Sequence, residues 1–120
     1  MRDPTPPPGA ADMDTDLDIR VMATTDLHMH VLGYDYFADR PTDRLGLSRA
    51  AALIARARVG NCLLFDNGDA LQGSPLGDYL VESGRIGPRR PHPVIAAMNA
   101  LGYDAATLGN HDFSFGLGFL

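Results

Sequence analysis

Three short stretches of this chain carry side chains suited to binding a divalent cation and handling a phosphate. They are Asp26-Leu27-His28, Asp66-Asn67-Gly68-Asp69 and Leu108-Gly109-Asn110-His111-Asp112-Phe113. Carboxylate and amide oxygens combined with imidazole nitrogens suit borderline and hard ions such as Mn²⁺, Zn²⁺, Fe²⁺ or Mg²⁺. One carboxylate can bridge two cations, and a pair of metals stabilises both the attacking and the leaving oxygen in phosphoryl displacement. Taken singly the signals are weak. An Asp-x-His pair is commonly a surface or capping feature, and Gly-Asp or Gly-Asn after a strand is ordinary turn chemistry. The information lies in their order and setting, because each follows an apolar run.

Those runs define the elements that must position the ligands. Residues 18–24, 62–66 and 105–108 read as strands entering a sheet covered on both faces. Between the first two, Leu47, Ala50, Ala51, Ile54 and Ala57 recur at helical spacing, which predicts an amphipathic helix over 46–58 stopped by Gly60-Asn61. Pro75 can start a short helix through Tyr79 and Leu80. Pro93 opens another, with Val94, Ile95, Met98 and Leu101 on one stripe and Gly102 as its stop. Strand, helix, strand, helix, strand is the pattern of a parallel sheet with right-handed crossovers. The fold class is therefore α/β, a parallel βαβαβ start. All three strand ends should face one edge, the edge at which open α/β sheets bind ligands. Residues 25–45 are expected to form a long loop holding Tyr34, Tyr36 and Phe37, which either pack within the loop or stack on a base or sugar.

Composition excludes several classes. The 120 residues allow one small domain or part of a larger one, and the net charge of −5 comes with no Lys among ten basic residues. An acidic chain is a poor match for a nucleic-acid polymer. The one basic cluster, Arg85, Arg89 and Arg90, reads as a solvated loop. Cys62 is the single cysteine, so an internal disulfide is excluded, and its apolar setting makes it a core residue. Residues 1–16, rich in Pro and Asp, read as a flexible tail, with 17–120 as the folded part. No run approaches a membrane span and none resembles a secretory core, so the chain as written is expected to be cytoplasmic. No Gly-x-Gly-x-x-Gly or P-loop is present to hold phosphates. His92 is expected to open a helix and His30 to lie in a loop. The apolar residues Phe115 to Leu120 look like an unfinished element, which suggests the N-terminal piece of something longer.

As a set the three blocks resemble the first signature blocks of the calcineurin-like metallophosphoesterases. Thr24-Thr25-Asp26-Leu27-His28-Met29-His30 and Asp66 to Pro75 resemble the 5′-nucleotidase branch. The Asp35-Tyr36 loop and His92-Pro93-Val94-Ile95-Ala96-Ala97-Met98-Asn99 resemble its bacterial 2′,3′-cyclic-nucleotide 2′-phosphodiesterase/3′-nucleotidase members. The resemblance implies the first part of a metallophosphoesterase α/β sandwich, incomplete over this length. It implies two divalent metal ions (Mn, Zn, Fe, Co or Mg) and a nucleotide substrate. Asp26 and His28 would hold the first ion, Asp69 would bridge, and Asn110 would hold the second. His111 would contact the phosphate and protonate or stabilise the leaving oxygen. Two departures stand out. The branch commonly orients this His with an Asp three residues on, where this chain has Ser114, and Asp112 is expected to point elsewhere. The family also takes further His ligands from a downstream Gly-His-x-His block, and its members are usually exported. The alternatives are a 5′-nucleotidase-like hydrolase of other phosphate esters and a non-catalytic α/β module.

Overall fold

The computed structural model describes residues 16–87 and 90–120. The expected tail over 1–16, apart from Asp16, and Arg89 of the basic cluster lie outside the described residues. Strands β1 (Ile19–Thr24), β4 (Asn61–Asp66) and β5 (Ala105–Ala106) form a three-stranded sheet in the order β1-β4-β5. Both pairings are parallel, with Val21 opposite Leu63, Thr24 opposite Asp66, and Asp66 opposite Ala106. Helix α1 (Leu47–Ala57) joins the first pair, and α2 (Pro75–Glu82) and α3 (Pro93–Leu101) lie between β4 and β5. The expected α/β fold and the shared edge of strand ends are present.

The pleat sorts the side chains. Met22 and Leu64 face inward and meet Leu47 and Ile54 of α1, Val94 and Met98 of α3, and Met29 and Leu71 of the strand-end loops. Ile19, Val21 and Leu63, which point the other way, are exposed at 54%, 62% and 38%. So the described residues cover one face of the sheet, where the apolar runs suggested two. The third strand is also shorter than expected. Asp104 Oδ2 accepts from Leu64 N at 2.7 Å, and Thr107 N donates to Asp66 O at 3.0 Å. Beyond Thr107 the chain leaves the sheet to enter the turn that carries Asn110 and His111.

The 25–45 segment is more ordered than its composition suggests. β2 (Tyr34–Asp35) and β3 (Arg40–Pro41) pair antiparallel. Asp35 Oδ1 accepts from the amides of Phe37 and Ala38, both at 3.0 Å, an Asx-type turn that closes the hairpin. Tyr34 and Tyr36 pack edge to face at 5.2 Å, whereas Phe37 at the tip is 80% exposed. No described helix is long and apolar enough to cross a membrane.

His92 does open α3. Its ring is buried, with Nδ1 accepting from Val94 N at 3.3 Å and Nε2 lying 3.0 Å from Leu71 O. The neutral ring protonated on Nε2 satisfies both contacts. Burial holds its pKa below the ordinary value, against the pull of the Leu71 carbonyl and Asp112. The unfolded ring takes its proton near pH ~6.5 and the folded ring only lower down. The stabilisation is therefore complete above that value and lost as pH falls toward the folded pKa. Urea midpoints at about pH 7.5 and about pH 5.5 should show a drop that shrinks in His92→Asn, which retains a capping oxygen. An equal drop in both proteins would rule out His92 as its source.

Candidate functional site

The site is built where the three strand-end loops are stitched together. Past β1 the chain departs from strand geometry, with positive φ at Asp26 (54°), His28 (44°) and Met29 (60°). Asp26 and His28 therefore meet through a left-handed path and not through strand alternation. Non-glycine residues occupy that region at a cost that surrounding contacts must offset. Those contacts are main-chain bonds to the loop after β4: Asp26 N to Gly68 O (3.1 Å), His28 N to Asp69 O (2.9 Å) and Met29 N to Ala70 O (2.9 Å). Asp69 is itself left-handed, with φ 58°.

The third loop is tied in by Asp112. Its carboxylate is 1% exposed and accepts three amides: Asp69 and Gly109 on Oδ2, both at 2.8 Å, and Leu71 on Oδ1 at 2.7 Å. Asp112 points away from the His111 ring, as the sequence led us to expect, and into the site's foundation. The 3₁₀ turn His111–Phe113 turns it inward. From the same loop, His111 N donates to Asp69 Oδ1 at 2.8 Å. Gly109 fits because it has no side chain, since a Cβ there would overlap the Asp69 carboxylate.

On this base three of the predicted ligands gather. One ligand atom from each of Asp26, His28 and Asp69 lies within 4.8 Å of the others. His28 Nε2 is 3.6 Å from Asp26 Oδ1. Its Nδ1 is 2.9 Å from the main-chain oxygen of Gln72, so a proton on Nδ1 leaves Nε2 free toward the carboxylates. A Cβ on Gly73 (φ 136°) would sit 2.6 Å from that Nδ1, so glycine is needed for the ring to seat. The His111 ring packs edge to face against His28 at 5.0 Å. Asn110, exposed at the start of the 3₁₀ turn, spends no side-chain atom on capping it. Two carboxylates with an imidazole whose far nitrogen is already engaged form a donor set that fits a divalent cation.

Other groups support the cluster. Asp66, 2% exposed, accepts from Thr24 Oγ1 at 2.6 Å and from Gly68 N at 3.0 Å, while Tyr103 Oη lies 2.9 Å from Thr24 Oγ1. Burial raises the Asp66 pKa, opposed by the Thr24 and Gly68 hydrogen bonds. His30 is half-buried with Nδ1 unpartnered among the described residues, and burial, then the neighbouring His28, lowers its pKa. His92 lies below the cluster against Leu71. Sequence reasoning missed Asp112 and Gln72. An acid beside Gly-Asn-His with no cation near it in sequence was the available signal for the first. Gln72 stood out only as the polar residue between Leu71 and Gly73.

A parallel α/β sheet with an Asp/His cluster at the carboxyl ends of its strands is an architecture that fits a divalent-metal site. By sequence and fold this chain is similar to the N-terminal part of calcineurin-like phosphoesterases. It is 46% identical over 123 residues to the trifunctional nucleotide phosphoesterase protein YfkN of Bacillus subtilis, covering 98% of this chain and 8% of that one. It is 48% identical over 106 residues to the 2′,3′-cyclic-nucleotide 2′-phosphodiesterase/3′-nucleotidase of Yersinia enterocolitica, covering 87% and 16%. A YfkN crystal structure superposes with a TM-score of 0.73 at 48% identity, over 82% of this chain and 31% of that one. The chain thus spans a small part of the length of these relatives. No protein-family model matches it.

Asp112 sets the first expectation for the site. Asp112→Asn puts an N–H against amide donors and should destabilise the fold by roughly 2 kcal/mol or more. Denaturant unfolding of the variant measures it, and an unchanged midpoint would mean the three bonds are dispensable.

Proposed function

We propose that this chain is the ligand-bearing first part of a metal-dependent phosphoesterase that hydrolyses 2′,3′-cyclic nucleotides and 3′-nucleotides. The observation that carries the reading is the convergence of Asp26, His28 and Asp69, with the His111 ring against His28, at the carboxyl edge of the sheet. The activities for which YfkN and the Yersinia enzyme are named supply the substrate class.

Two divalent ions would be held by Asp26 and His28 Nε2 on one side and Asn110 on the other, with Asp69 between them. When bound, they supply positive charge that polarises the phosphoryl group and offsets charge gathering on its oxygens. The chain's own part is to hold its donors still. Asp69 is fixed through its amide on Asp112 and its Oδ1 on the His111 amide, so the carboxylate that would lie between the ions is tied to the backbone of His111. His111 meets the phosphate and gives a proton to the departing ribose oxygen, a role worth about 10²–10⁴-fold in rate.

The test is turnover of 2′,3′-cyclic AMP and 3′-AMP by the complete protein, with loss on chelation and recovery with added Mn²⁺. Asp69→Asn should cost more than His28→Ala, because a bridging carboxylate serves both ions whereas water can partly replace a terminal ligand. Recovery of Asp69→Asn at modest Mn²⁺, with none for His28→Ala, would reverse the two roles.

Residues 1–120 alone should be inactive. Asp26, His28, Asp69 and Asn110 are too few donors to fill two metal sites, and in-line attack demands fixed geometry. Mn²⁺- or Zn²⁺-dependent turnover by the isolated chain that vanishes in His111→Ala would refute this.

A further inference from the structure

We infer that Gln72 is the positioning residue for His111, the role that the residue three places after His111 is expected to fill and that Ser114 does not. The inference rests on the phosphoesterase reading above. Within the 3₁₀ turn, Ser114 bonds to His111 through its main-chain N–H, donated to His111 O at 3.0 Å. Its hydroxyl makes no hydrogen bond among the described residues. His111 Nδ1 instead lies 3.1 Å from Gln72 Oε1.

Gln72 is placed to do this. Leu71 before it is anchored by its N–H on Asp112 Oδ1 and by its carbonyl on His92 Nε2. Its own carbonyl lies against His28 Nδ1, over the open space that Gly73 leaves. The segment therefore meets both histidines. The main-chain oxygen of Gln72 orients the metal-side ring and its amide oxygen orients the substrate-side ring. The amide oxygen accepts the Nδ1 proton, which fixes the His111 ring and directs Nε2 outward. As a water oxygen bonds to phosphorus, releasing one proton to solvent and keeping the other on the product phosphate, the P–O bond to ribose breaks with its electron pair and the departing oxygen takes the Nε2 proton, which the ring then regains from solvent. The Nδ1 proton stays on the ring, held by Gln72.

The experiment uses the complete protein with Mn²⁺ and the variants Gln72→Ala and Gln72→Glu, on 3′-AMP and on 4-nitrophenyl phosphate. The ribose alkoxide needs a proton to leave and the nitrophenolate hardly does. Loss of His111 alignment should therefore lower kcat on 3′-AMP by about 10²-fold with KM within about 3-fold, and lower kcat on the aryl ester by less than about 3-fold. Gln72→Glu, which keeps an acceptor oxygen, should restore most of the loss. An equal loss on both substrates, or none on either, overturns the inference. A second readout does not depend on activity. In ¹⁵N-histidine-labelled, metal-free protein, the His111 resonances, assigned with His111→Asn, should report an Nδ1–H ring that Gln72→Ala abolishes. An unchanged tautomer in Gln72→Ala overturns the inference even if the parent hydrolyses no nucleotide, an outcome that would instead count against the proposed substrate class.

Discussion

The buried carboxylate of Asp112 is the interaction on which the site depends. It accepts amides from Asp69, Leu71 and Gly109, and so joins the loop after β4 to the loop after β5 at a point where the strands no longer pair. Charge-assisted bonds of this kind are stronger than neutral ones, and burial raises the penalty for breaking any of them. Around this carboxylate the remaining geometry is over-determined. Asp69 is held by its amide and by Oδ1, the loop after β1 is zipped to it by main-chain bonds, and Gly109 leaves the space its carboxylate occupies.

That over-determination explains how the ligand-bearing residues persist in an unfavourable backbone region. Asp26, His28, Met29 and Asp69 all have positive φ. Each such residue costs of order 1–3 kcal/mol, which no isolated loop would tolerate. Here the path is held by the β1–β4 register below and by the Asp112 bonds beside it. The strain has a chemical return, since it folds Asp26 and His28 back over Asp69 instead of letting them follow the strand direction.

The legible part of the molecule was whatever repeats. Apolar runs gave the three strands, the 3.6-residue stripes gave α1 and α3, and strand-to-helix order gave the parallel sense. Asp26, His28 and Asp69 were legible because strand ends are where such sheets expose ligands. The hairpin at Tyr34–Asp35 and Arg40–Pro41 was not, because it depends on one side-chain oxygen closing an Asx turn, which leaves no periodic trace. Asp112 and Gln72 were hidden for a related reason. Adjacency to His111 or Gly73 says nothing of direction, and direction here is set by a 3₁₀ turn and by contacts some 40 residues apart in sequence.

The four carboxylates at this edge also divide by how their charge is met. Asp66 has the Thr24 hydroxyl and the Gly68 amide, and Asp112 has three amides. Asp69 has one amide, on Oδ1, and Asp26 has the Thr25 hydroxyl on Oδ2, with the His28 ring 3.6 Å from Oδ1. Asp69 Oδ2 makes no hydrogen bond among the described residues. The two enclosed carboxylates are therefore consumed by the fold, whereas Asp26 and Asp69, clustered with His28, keep lone pairs uncommitted among the described residues. Like charges brought this close repel unless a cation lies between them. The fold holds them together through main-chain bonds that do not involve their free oxygens. A divalent ion is a counter-charge that fits such an arrangement, and this division sets the two buried acids that hold the loops apart from the two acids of the candidate metal site without reference to any relative.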